Sequence, residues 1–169
     1  MSDQTQTSSF DADAFMQSTV DGPLETEFRH VPAGEYQNVY INDFDSKALS
    51  LNEGVSDKTN KPYSFLKFSV PFKISNDPKV MAETGRDEAI VYKEMNLDRD
   101  DNGGIARGVN KNIELGRLFD AAGLNAANVS IASLRGAGPF VITVVHESGK
   151  RKDGSDWKQA RVGKVTRQS

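Results

Sequence analysis

Residues 63–74 read Tyr63-Ser-Phe65-Leu66-Lys67-Phe68-Ser69-Val70-Pro-Phe72-Lys73-Ile74. Every even position from Leu66 onward is apolar: Leu66, Phe68, Val70, Phe72 and Ile74. The odd positions carry Tyr63, Phe65, Lys67, Ser69 and Lys73. A strict period of two places successive side chains on opposite faces of a strand. One face of this strand is therefore expected to turn to a core, and the other to present rings and ammonium groups.

Outward from this strand the chain shows four more extended segments and one helix. A first strand is expected over Gly34 to Ser50, followed by a polar loop from Asn52 to Lys61 that holds Gly54, Asp57 and Asn60 and ends at Pro62. That composition is turn chemistry. A third strand is expected over Ala89 to Leu97, then a Gly- and Asp-rich loop from Asp98 to Asn110. In NIELGRLFDAAGL (112–124), Leu115, Leu118, Phe119 and Ala122 recur at helical spacing, and Gly123 stands where a left-handed cap would end the helix. Two strands close the sequence, Pro139 to Glu147 and Asp156 to Thr166, joined by the loop Ser148 to Ser155 (SGKRKDGS). Three strands, a helix and a closing pair is the order of an oligonucleotide/oligosaccharide-binding (OB) fold. The expectation is a mainly β chain: a five-stranded OB barrel with one helix between strands three and four, and a flexible N-terminal arm.

The arm is residues 1–30, rich in Ser, Thr, Gln and Asp, and the domain is residues 31–169. Charge divides along the same line. The whole chain is −3, but residues 1–33 hold six carboxylates against Arg29 alone, which leaves the remainder at +2. The last 25 residues hold seven cations against three carboxylates. A chain average therefore says little about the local field. No run approaches the roughly 20 apolar residues of a membrane helix, no basic and apolar leader opens the chain, and cysteine is absent. These features set the expectation of a protein of a reducing cytoplasm, bacterial or viral in origin, with no membrane partner.

Bases of unpaired nucleic acid stack on aromatic rings while cations track the phosphates. Tyr63 and Phe65 beside Lys67 and Lys73 form such a set, and Tyr36 and Tyr40, four residues apart in the first strand, are expected to extend it on one face. The loop between the last two strands adds Lys150, Arg151 and Lys152. Just beyond it, Trp157, Lys158 and Arg161 open the final strand. For each ring the plain alternative is barrel packing, and for the loop a solvated hairpin tip.

Catalytic constellations are missing. Only His30 and His146 are present, and neither a phosphate-binding GxxxxGK nor a GxSxG elbow occurs. Asp98-Arg-Asp100-Asp-Asn102-Gly103-Gly-Ile105 begins like a calcium loop, but the twelfth position, which needs a bidentate Glu, is Val109. A polar turn is expected there, with no catalytic residue, metal or cofactor.

VPAGEY (31–36), SFLKFSVPF (64–72), NKNIELGRLFDAAGL (110–124) and the Leu134 to Gly136 turn before an apolar strand resemble small bacteriophage single-stranded-DNA-binding proteins with an OB fold. The resemblance spans about residues 30–166 and rests on element order and short matches. It implies sequence-tolerant coating and protection of single-stranded DNA during phage DNA replication or recombination, without enzymatic activity. Such proteins often carry an acidic C-terminal tail that recruits partners. Here the C-terminus is basic and the acidic segment leads, so contact with a replication or recombination protein is expected through the N-terminal arm, with homo-oligomer formation open. The competing expectation is a virion structural or decoration protein whose β-barrel core clamps onto neighbours through the arm.

Overall fold

The computed structural model describes residues 9–125 and 129–169. Six strands are present: β1 (Gly34–Ile41), β2 (Leu49–Val55), β3 (Pro62–Ser75), β4 (Glu88–Leu97), β5 (Phe140–Lys150) and β6 (Asp156–Arg167). Helices are short: α1 (Ala12–Met16), α2 (Pro78–Thr84) and α3 (Ile113–Ala121). The strands form one mixed sheet in the order β1-β5-β6-β4-β3-β2, and β1 also pairs with β3, so that five strands close into a ring with β2 outside it. The ring is not a regular barrel. β1 and β3 share two paired positions, Tyr40 with Lys73 and Ile41 with Phe72, and β4 meets β6 in a single parallel pair, Tyr92 with Arg161.

The alternation in β3 sets the core. Phe68, Val70, Phe72 and Ile74 are all buried, joined by Val39, Ile41, Val91, Met95, Phe140, Ile142, Val144 and Val162 from the other ring strands. Helix α3 contributes Leu115, Leu118 and Phe119, and Gly123 takes the left-handed conformation at its end (φ 71°). Asn112, itself left-handed, ties the start of this helix to the end of β4. Its Oδ1 accepts from Asp98 N (2.8 Å), while its Nδ2 donates to Asp98 O and Ala106 O (both 2.9 Å).

Five expectations are revised. The first strand does not run from Gly34 to Ser50: it stops at Ile41, a 3-10 turn spans Ser46–Ala48, and Leu49–Val55 pairs in register with Pro62–Phe68. The first four residues of the expected Asn52 to Lys61 loop are therefore strand, and the turn is Ser56 to Lys61, where Ser56 N donates to Lys61 O (2.9 Å). The sheet has six strands rather than five because β2 sits at its edge. An edge strand has few buried contacts, so polar Asn52 and Glu53 and the side-chain-less Gly54 are tolerated there. Helix α2 lies in a stretch not expected to be helical, although Asp77 caps its first turn through Lys79 N and Val80 N, Pro78 opens it and Gly85 closes it at φ 71°. The last hairpin is also longer than expected. β5 and β6 pair out to Lys150 with Asp156, leaving Arg151 to Ser155 as the turn.

Of the expected arm, residues 1–8 lie outside the described residues. Residues 9–29 are exposed throughout, with α1 capped by Asp11, and Val31 is the first buried residue among those described.

Candidate nucleic-acid interface

On β3 the odd positions face away from the core. Tyr63 and Phe65 are 45% and 39% exposed, and their rings are 5.9 Å apart between centroids with 25° between planes. They stand on the part of β3 that only β2 pairs, opposite Gly54 and Asn52. Further along, the same row is covered: Pro71 is buried, beside the 42–48 segment that lines a cleft with Ser69 and Tyr92. The open part of the face is therefore its Tyr63 to Lys67 half.

Lys67 Nζ lies 2.9 Å from Glu94 Oε2 on β4, and Arg161 Nη1 on β6 donates to the same oxygen. Arg161 Nε is 2.9 Å from Glu147 Oε2 on β5, an ion pair without hydrogen-bond alignment. Burial alone would raise the Glu94 carboxyl, but hydrogen bonds from Lys67 and Arg161, together with their charges, outweigh it and hold the group below the ordinary carboxylate range. Two cations that reach one oxygen share one face. Since strand positions two apart point the same way, the row Tyr63, Phe65, Lys67 on β3 and the row Trp157, Gln159, Arg161 on β6 converge on Glu94 from two sides.

The other expected cations are distributed differently. Lys73 pairs with Glu88 (3.1 Å) and Lys150 with Asp156 (3.2 Å). Arg151 donates to Asp156 O (3.1 Å), stiffening the turn. Lys152 and Lys158 form no ion pair among the described residues. In the same turn Asp153 Oδ1 accepts from both the hydroxyl (2.6 Å) and the backbone N–H (2.9 Å) of Ser155, which lowers its carboxyl pKa.

Tyr36 is a correction. It is not on an open face with Tyr40 but 1% exposed in the core, where its hydroxyl donates to Pro32 O (2.6 Å) and Lys79 Nζ sits 4.3 Å from the ring centroid. Burial raises the phenol pKa, with the Asp77 charge adding to it. The reason is a β-bulge. Between Tyr36, opposite Ile142, and Val39, opposite Phe140, β1 uses one more residue than β5, and Asn38 turns left-handed (φ 55°). The extra residue reverses the parity of everything after it. Gln168 clamps the bulge by accepting from Asn38 N (2.6 Å) and donating to Asn38 Oδ1 (2.8 Å). Tyr40, 46% exposed, stays outward.

Two residues were missed. Tyr92, 45% exposed, is two positions from Glu94 on the outward row of β4. The alternation of Val91, Met95 and Leu97 with Ile90, Tyr92, Glu94 and Asn96 already carried that signal. Glu94 itself is a lone acid in sequence, and only strand pairing shows what it holds. The polar turn at Asp98 to Ile105 closes on itself. Asp100 Oδ1 accepts from Asn102 N (2.9 Å) and Gly104 N (2.8 Å), and Arg99 bridges to Ile105. No cluster of metal-ligating side chains occurs among the described residues.

A cleft of about 1010 Å³ separates the base of the arm from the last hairpin, lined among others by Phe28, Arg29, His146, Trp157 and Lys158. His146 Nε2 lies 2.7 Å from Val31 O, and Arg29 Nη1 lies 3.6 Å from Glu83 Oε1. Comparison of the chain with protein-family models, with curated proteins and with solved structures gives no match. No helix among the described residues is long and apolar enough to cross a membrane.

Proposed function

We propose that this protein is a non-enzymatic, sequence-tolerant binder of single-stranded DNA, acting in phage DNA replication or recombination within the cytoplasm of a bacterial host. The ring order supports an OB reading. Taking β1, β3, β4, β5 and β6 as strands one to five, the ring runs 1-2-3-5-4-1, with the parallel pair between three and five and α3 between three and four. In OB domains the ligand lies on strands two and three and on the loops joining one to two and four to five. Those positions here are β3 and β4, the β2 segment, and the Arg151 to Ser155 turn.

The observation that carries the reading is the convergence at Glu94: one face bears exposed Tyr63, Phe65 and Tyr92, and cations from two strands meet in its middle. Rings supply stacking that every base satisfies, and Lys67, Lys150, Arg151, Lys152, Lys158 and Arg161 supply phosphate contacts, with Lys73 at the margin. The test is the emission of Trp157 titrated with oligo(dT) at several salt concentrations. Strong quenching that weakens steeply with salt supports the reading; an unresponsive signal at low salt overturns it.

The second reading, a virion structural or decoration protein, is favoured by the arm. Phe10, Phe15, Met16, Val20, Leu24 and Phe28 are each between 63% and 77% exposed, a density of apolar side chains that fits docking on a protein neighbour. It is distinguished by self-association into large species without any response to oligo(dT). On the first reading, the same residues are the contact for a replication or recombination protein, or for a second copy of the chain.

A further inference from the structure

Two hairpins reach past the ring, and each lays an aromatic ring across a glycine. On the β2–β3 hairpin Gly54 faces Tyr63, and on the β5–β6 hairpin Gly149 faces Trp157. A side-chain carbon placed on Gly54 would lie 2.6 Å from Tyr63 Oη and 2.8 Å from Cζ, and one placed on Gly149 would lie 2.8 Å from Trp157 Nε1 and 2.9 Å from Cε2. Both distances are far inside van der Waals contact, so each ring occupies the space that any other residue would fill. Neither glycine is needed for its backbone angles, since neither has a positive φ. Glycine inside a strand is otherwise unfavourable and often marks a close approach.

We propose that Gly54 and Gly149 are positioning residues that let the Tyr63 and Trp157 rings lie flat on their hairpins, each offering its outer face to an unpaired base. The inference rests on the single-stranded-DNA reading and deepens it by assigning two stacking seats. A flat ring has one face against the strand and one face available, which is what an extruded base needs. A ring that stood upright would present an edge and lose most of the overlap. Tyr40 makes a third such contact over Gly138, but there the backbone oxygen of Val39 is also within 2.8 Å of the added carbon and φ is 148°, so that glycine is required by the fold itself.

The chemistry allows a clean test, because the atoms that would clash at Gly54 and Gly149 belong to side chains able to swing away. The full-length protein carrying Gly54→Ala or Gly149→Ala should therefore fold, with a midpoint equal to or above that of the parent. Affinities are read by anisotropy of labelled oligo(dT) and of an abasic oligomer with the same phosphates. For each variant we expect about a tenfold loss on oligo(dT), given the usual strength of base–ring stacking, with abasic binding and its salt slope unchanged. In Tyr63→Leu and Trp157→Leu backgrounds the paired alanine substitution should have no further effect, since the glycine acts only through the ring.

If both glycine variants keep the parent's preference for oligo(dT) over the abasic strand, the seats are overturned while DNA binding stands. An equal loss on both oligomers likewise overturns them, by showing a general structural effect. A parent protein that binds neither oligomer brings down the functional reading and the seats together.

Discussion

Lys67 on β3 and Arg161 on β6 are held by one oxygen of Glu94, the centre of an outer face that three strands build. A carboxylate in that position does to the two cations what a phosphate would. Glu94→Gln should therefore bind single-stranded DNA more tightly and with a steeper salt dependence, since Lys67 becomes available for counterion release while Arg161 keeps only its pair with Glu147. Unchanged or weaker affinity in a folded variant would show that Glu94 orients the cations for DNA rather than competing with it.

The same residue sets an acid limb. Its folded-state pKa is lowered, so its ionised form contributes stability that is fully present above the ordinary carboxylate range and is lost as pH falls through the lowered value. Chemical denaturation of the parent and of Glu94→Gln, followed from pH 7 downward, should show a stability difference that shrinks as the parent's carboxylate protonates. A difference that stays constant to the lowest pH contradicts this.

Tyr36 tests the bulge. Removing its hydroxyl in Tyr36→Phe should cost about 1 kcal/mol by loss of the bond to Pro32 O, and Tyr36→Ala about 3 to 5 kcal/mol by opening a core cavity. Tyr36→Phe should leave oligo(dT) affinity at the parent value. A loss of affinity without loss of stability would return Tyr36 to the binding face.

Asn112 separates conformation from hydrogen bonding. In Asn112→Gly the left-handed angle is free but three side-chain hydrogen bonds are gone, for an expected loss of roughly 1 to 2 kcal/mol. Asn112→Ala adds the strain of a left-handed Cβ, about 1 kcal/mol more. Urea midpoints that rank alanine above glycine would refute this account of the loop from Asp98 to Asn112.

Lys152 and Lys158, which form no ion pair among the described residues, should contribute more to binding than Lys73, which Glu88 already engages. Each of the first two changed to Ala should reduce the slope of log affinity against log salt by about 0.7, and Lys73→Ala should reduce it less. Equal slopes for all three would remove the distinction.

Removing residues 1–26 deletes five carboxylates from a segment whose continuation lines the same cleft as Trp157 and Lys158. The truncated protein should bind DNA more tightly at low salt. Identical affinity would show that the arm's carboxylates do not compete with DNA for that cleft.

The alternation in Tyr63 to Ile74 was legible in the sequence because it is a local property. A strand with one face in a core must repeat every two residues, and nothing elsewhere in the chain alters that. The helix around Leu115 to Phe119 and the closing hairpin were legible for the same reason. Strand β2 was hidden because an edge strand buries little and shows no strong pattern, and Asn52 and Gly54 resemble turn residues. What only the tertiary structure decided is everything that depends on register. One inserted residue near Asn38 sends Tyr36 into the core and leaves Tyr40 outside. Glu94 meets Lys67 and Arg161 across 27 and 67 positions of chain, and Gly54 and Gly149 meet their rings only because strand pairing sets them opposite. Period tells a side chain which way to face; pairing tells it whom it faces, and pairing is a property of distant segments.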